Sequence, residues 1–185
     1  RVGNGDALRQ AVQQFAQAAQ LNIDWRLVRF PNAMVDRITP ATTDRIRQEC
    51  KDPMAVPTEA FREWVIEDNF AGPRPDWPDV QFVQDVQPHE LRKLRMLNGA
   101  HSFLAYAGLA QGYQYVHEAI SDPDLRGQAL SLMMEAGATL PQDIQDQVPA
   151  YAQALLRRFD NTELAHRLNQ IAVDGSQKLP YRILE

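Results

Sequence analysis

From Pro88 to the C-terminus the apolar residues recur at three-to-four spacing, and only helix-breaking signals interrupt them: Asp122-Pro123, Pro141 and Asp160-Asn161. Such a pattern leaves little choice but a bundle of short helices. It predicts helices over about 89–111, 113–120, 123–137, 141–159 and 161–173. The N-terminal half reads differently. Asp6 is read as the cap of a helix over 7–20, whose Leu8, Val12, Phe15, Ala16 and Ala19 form one apolar stripe. Trp25 to Phe30 alternates like a short strand before Pro31. Thr42 and Thr43 can cap a helix to about Lys51, and EWVIEDNF, residues 63–70, reads as a second strand or buried segment. The three prolines of GPRPDWPD, residues 72–79, make that stretch a loop. No internal repeat is visible.

Composition narrows the function classes. With 185 residues, 44% of them hydrophobic, the chain is long enough for one domain or a domain with an appendage. Its net charge of −5, without any basic block, argues against nucleic-acid and anionic-membrane partners. No apolar run approaches the length of a membrane span, and the first residues carry no secretory core. The single cysteine, Cys50, cannot form an internal disulfide, which leads us to expect a reducing cytoplasm. The chain opens without Met in a polar, glycine-containing turn, as though cut from something longer.

The stretch KLRMLNGAHSFLAYAG, residues 93–108, places Lys93, Asn98 and His101 in an apolar helix. At 100° per residue they stand at about 0°, 140° and 80°, on one side, over roughly 12 Å of axis. A lysine among Leu94, Leu97 and Leu104 loses some preference for its charged form, so its amine could take a hydroxyl proton. Asn98 could donate to an alkoxide-like oxygen and His101 could hold a neighbouring hydroxyl. Gly99 and Ala100 would leave room for a ligand. Spacing alone leaves another reading open, a snorkelling lysine with an Asn and a His that satisfy backbone groups. Other constellations are weaker. His89, His101, His117 and His166 show no metal-ligand spacing, Glu67 and Asp68 point to opposite strand faces, and Ser102 diverges from His101 by about 100°. The aromatic residues Phe103, Tyr106, Tyr113 and Tyr115 suit packing rather than base stacking.

PHELRKLRMLNGAHSFLAYAG resembles the signature of the polyol-specific long-chain dehydrogenases, the mannitol dehydrogenase family, through its Lys-x4-Asn-x2-His element at Lys93, Asn98 and His101. FPNAMVDRITPAT (30–42), FREWVIEDNFAGPRPDW (61–77) and DGSQKLPYRIL (174–184) are similar to further family segments, in the same order. The resemblance implies Lys93 as general base, Asn98 as oxyanion stabiliser, and a reaction without metal. It implies His101 as a substrate contact, with Asp36 and Arg167 as further substrate-binding candidates. The substrate would be a sugar alcohol or aldonate, with NAD or NADP as hydride partner.

The wording of the motifs is nearest the fructuronate reductase branch. An acidic substrate there calls for an arginine, Arg167 first and Arg37 in reserve, while Arg95 faces away from Lys93. Family members start with a Rossmann domain and a DNxPxNG-like segment. Only VGNG, residues 2–5, corresponds to the latter, and no Gly-x-Gly-x-x-Gly occurs. The expected fold is therefore mainly α: a helical substrate domain of the 6-phosphogluconate dehydrogenase C-terminal type, with a small β element near 26–30 and 63–68 and the Rossmann domain absent. Residues 1–25 would be a bridging helix left from the missing domain, and 26–185 the substrate domain, inactive alone. A competing expectation is a non-catalytic helical binding module that keeps the triad by descent.

Overall fold

The computed structural model of the chain describes residues 2–184. The chain divides into two compact units, one from residues 1–36 and 62–90 and the other from 37–61 and 91–185.

The first unit is a three-stranded sheet with one long helix. Strand β1 (Ala33–Asp36) pairs antiparallel with β2 (Glu63–Glu67), and β2 pairs parallel with β3 (Val80–Val83), in the order β1-β2-β3. Its core is Met34, Val65 and Val86. Helix α1 (Asn4–Ala18) starts earlier than its apolar stripe suggests, and Asp6 lies in its first turn rather than at its cap. The capping comes from far away in sequence. The Asn32 carboxamide oxygen accepts from the backbone of Gly5 (2.8 Å) and Asp6 (3.1 Å), and the Asn32 amide donates to the Asp6 and Glu67 carboxylates. Gly5 is needed there, because a Cβ would collide with the carbonyls of Phe30 and Pro31.

The strand expected at 26–30 does not form. Trp25–Leu27 is a 3-10 turn, because the Asp24 carboxylate accepts from the Arg26 backbone and guanidinium, a local bond that competes with extended pairing. The extended segment begins after Pro31 instead. The β element is thus larger than expected and differently composed, with β1 and β3 added to the anticipated β2.

The second unit is the helical bundle. Thr43 caps α2 (Asp44–Cys50), as its position suggests. Helix α3 (Gln87–Arg92), whose residues 87–90 belong to the first unit, runs directly into a π-helical turn, Lys93–Asn98, and then into α4 (Gly99–Ala110). There follow α5 (Val116–Ser121), α6 (Pro123–Ala138), α7 (Val148–Phe159), α8 (Leu168–Ala172) and α9 (Gly175–Leu179), ending in a second π turn, Pro180–Leu184. Local chemistry sets these limits: Asp122 accepts from Asp124 and Leu125, and Pro123 opens α6. The long helix expected over 161–173 is broken by Ala165, whose φ of 42° is left-handed. Chain beyond it pairs with the segment before α5, Val116 donating to the His166 carbonyl and Leu168 to that of Gln114.

Residues such as Met96, Leu104, Ile120, Leu125, Met133, Leu155, Phe159 and Leu168 fill the bundle core. One buried ion pair ties 37–61 to this core. The Arg158 guanidinium donates to both oxygens of Glu59 (2.7 and 3.0 Å) and lies over the Phe61 ring at 4.1 Å, while Glu59 also accepts from the Ile38 backbone. Among the described residues no helix is long and apolar enough to cross a membrane.

Candidate active site

Lys93 and Asn98 are the first and last residues of the π turn, and this changes their relation. In an α-helix residues five apart diverge by about 140°. In a π turn the backbone repeat is i to i+5, so residues five apart come one above the other. Lys93, Asn98 and His101 all line one cavity of about 210 Å³ in the second unit, together with Arg37, Ile38, Thr39, Leu97, His166, Ile171, Lys178 and Arg182. Three distant pieces of chain close it: the segment held by Glu59, the stretch after Ala165, and the C-terminal turn. The room expected beside Gly99 and Ala100 is taken by protein. Ala100 is in the core, and a Cβ on Gly99 would lie 3.1 Å from the Arg182 carbonyl.

His101 is buried, its ring 4.7 Å from Phe159 and edge-on to His166 at 5.3 Å. Its Nε2 has no hydrogen-bond partner among the described residues, and neither has Nδ1 of His166. Burial, reinforced by the fields of His166, Arg158, Arg182 and Lys93, holds the His101 pKa well below the ordinary histidine range. Burial also lowers that of His166. Both rings are therefore neutral near pH 7, each with one nitrogen to donate and one to accept.

The cavity wall carries four cationic residues, and among the described residues no Asp or Glu lines it. The Lys178 ammonium donates to the Val173 carbonyl (2.6 Å), Arg37 Nε to the Glu59 carbonyl (3.1 Å), and Arg182 Nη1 to the Ser102 hydroxyl (3.0 Å). Arg167 does not line the cavity. It caps α8, bridges to Tyr115 and lies over that ring at 5.2 Å. Arg95 donates to Thr139 instead, in keeping with its place on the helix. Asp36 belongs to the first unit, where it ends β1 and is fully buried. His166, Thr39, Lys178 and Arg182 went unassigned by sequence reasoning. Lys178 and Arg182 lie inside the family-like C-terminal segment, which was the available signal. His166 gave none, because its place depends on the left-handed Ala165.

Comparison with known proteins agrees with the motifs. Residues 85–185 match the family model described as the mannitol dehydrogenase C-terminal domain. The chain is 48% identical to the D-mannonate oxidoreductase of Escherichia coli (strain K12) over 98% of its own length and 40% of that protein's. It is 40% identical to the mannitol 2-dehydrogenase of Pyrenophora tritici-repentis (strain Pt-1C-BFP), over 98% of the chain and 35% of the relative. Among solved structures, Pseudomonas fluorescens mannitol 2-dehydrogenase in ternary complex with NAD and D-mannitol superposes with a TM-score of 0.76 at 39% identity. That match covers 83% of this chain and 33% of the other. The chain thus spans about 40% or less of the length of these proteins.

One expectation is overturned. Residues 1–79 match the family model for the mannitol dehydrogenase Rossmann domain, so that domain is not absent. The missing glycine motif marks only the phosphate-binding turn after a first strand. A domain of this kind extends over further strands, and the sheet here includes the parallel pair β2–β3. With more than half of its residues in one family model and a relative 48% identical across nearly all of it, this chain belongs to the mannitol dehydrogenase family.

Proposed function

We propose that these residues form the substrate-binding part of an oxidoreductase that interconverts a sugar alcohol or aldonate with its keto partner. The observation that carries this reading is the convergence of Lys93, Asn98 and His101 on one cavity through the π turn. The names of the relatives support it. A nicotinamide dinucleotide, NAD or NADP, supplies the hydride acceptor. These residues contain no glycine-rich strand-turn-helix for its phosphates, so none of them is assigned to hold it.

In oxidation, the Lys93 amine takes the hydroxyl proton as the carbon gives up hydride, leaving a ketone. Asn98 donates to the oxygen while negative charge builds on it. His101, neutral and with an unpartnered Nε2, holds an adjacent hydroxyl. The proton acceptor and the oxyanion donor are both side chains of this chain, so the reading requires no metal. Between neutral and acidic substrates, a wall that carries Arg37, Lys178 and Arg182 besides Lys93, and no carboxylate among the described residues, favours the acidic pair, of the mannonate and fructuronate kind.

In the full-length protein, Lys93→Ala is expected to slow oxidation by roughly 10²- to 10⁴-fold and to remove the rise in rate on the basic side of the pH profile. An unchanged profile would take Lys93 out of the mechanism. Residues 1–185 alone are expected to bind no NADH in a calorimetric titration.

A further inference from the structure

The four cations at the cavity are not equivalent. Lys93 is committed to the reacting carbon in the mechanism above. Lys178 is bound to a backbone carbonyl and Arg37 to the backbone of Glu59, beside the buried ion pair. Arg182 is held differently. Its Nη1 donates to the hydroxyl of Ser102, a buried residue next to His101 on α4. Its backbone carbonyl packs against the α-carbon of Gly99, next to Asn98. The π turn Pro180–Leu184 is thus pinned to α4 at two points, one through the Arg182 backbone and one through its side chain.

A guanidinium has five N–H donors, and Ser102 accepts from Nη1 only. Nε and Nη2 make no hydrogen bond among the described residues, and none of the ion pairs found among them includes Arg182. The Nε–Nη2 edge is one that a carboxylate matches with two parallel bonds. A half-buried arginine oriented by a buried hydroxyl, with that edge unpaired and no acidic neighbour on the wall, is arranged for an anion that arrives with the ligand.

Resting on the oxidoreductase reading of this site, we infer that Arg182 is the specificity-determining residue that receives the carboxylate of an aldonate or ketouronate, with Ser102 as its positioning residue. The carboxylate lies at the end of the substrate away from the carbon that Lys93 serves. This assignment replaces Arg167, which the fold commits to Tyr115.

The test uses the full-length protein, wild type beside Arg182→Gln, Arg182→Lys and Ser102→Ala. A six-carbon aldonate, the matching neutral alditol and its phosphate ester are compared, by calorimetric binding and by steady-state kinetics. Arg182→Gln should raise Kd and KM for the aldonate roughly 10- to 100-fold, the usual worth of hydrogen bonds to a charged group. kcat should stay within about twofold, and the alditol constants should not move. Arg182→Lys, which keeps the charge but not the fork, should fall between, and it carries the test if the glutamine variant does not fold. Ser102→Ala should weaken aldonate binding less than Arg182→Gln does, again sparing the alditol. Equal losses on acid and alditol, no loss on the acid, or tighter wild-type binding of the phosphate ester than of the aldonate would each overturn the assignment. If the wild type oxidises neither acid nor alditol, the oxidoreductase reading fails. A loss of aldonate binding in the Arg182 variants, with a smaller loss in Ser102→Ala, would still uphold the carboxylate site.

Discussion

Among the described residues, 22 buried apolar side chains of the helical unit pack into one core, whereas in the sheet unit Met34, Val65 and Val86 do so. The sheet unit also leaves Leu8, Phe15, Leu27, Val35, Trp64 and Trp77 exposed. Three short strands are near the lower limit for independent stability, whereas a bundle with a continuous core supplies its own. The cavity that holds Lys93, Asn98 and His101 is built entirely from the helical unit. Its geometry therefore rests on the better-packed of the two regions, and its polar side chains are set against a core that holds them in place.

The two regions can be followed separately, because all three tryptophans, Trp25, Trp64 and Trp77, belong to the sheet unit. The largest expected effect is from Glu59→Ala. It removes one partner of the buried Glu59–Arg158 ion pair and should cost about 3–5 kcal/mol. The loss should appear in the urea transition followed by far-UV circular dichroism and not in the one followed by tryptophan emission. Equal shifts in both would mean that the regions unfold as one.

Next in size is a pH effect. His101 and His166 both have lowered pKa values in the folded chain, so between the folded value and the ordinary one near 6.5 the unfolded chain binds more protons. Their contribution to stability is therefore complete above about pH 6.5 and declines as pH falls below it, by up to about 1.4 kcal/mol per unit for each ring. Urea midpoints from pH 8 to 5 should show the decline in the helical signal, and His101→Asn should flatten it. A flat wild-type profile would contradict burial of neutral rings. The smallest effect is in the sheet unit, where Trp77 stacks on Trp64 at 5.3 Å. Removing Trp77 should cost about 0.5–1.5 kcal/mol beyond lost area and should shift the emission-detected midpoint alone.

The helices after Pro88 were legible because their ends are set by residues adjacent to them, such as Asp122 and Pro123 for α6. The start of α1 was not, since Asn32 supplies its cap from more than twenty residues away. The missing 26–30 strand shows the same limit: alternation predicts a pleat, and a single Asp24 side chain turns the backbone into a tight coil. Within the site, Lys93, Asn98 and His101 were readable as a motif on one side of a helix, but the π turn that joins the first two was not, because apolar spacing carries no mark of it. Arg182 was hidden for a related reason. It sits in the other π turn, and no spacing in the sequence links it to its partner Ser102, eighty residues earlier. A missing glycine motif does not imply a missing Rossmann domain, because the motif is one short turn of a domain that extends over several strands.

The π turn at Lys93–Asn98 also makes the site hard to alter by small steps. Deleting one residue from it would restore ordinary helical winding, but it would rotate everything upstream, Lys93 included, by about 100° relative to α4. The turn works as a phase shift that sets Lys93, at its start, against the core-packing face of α4 after its end. Substitution can retune the groups on either side of the turn. Only an insertion or deletion can change the angle between them, and such a change would mis-set Lys93 and the bundle packing together.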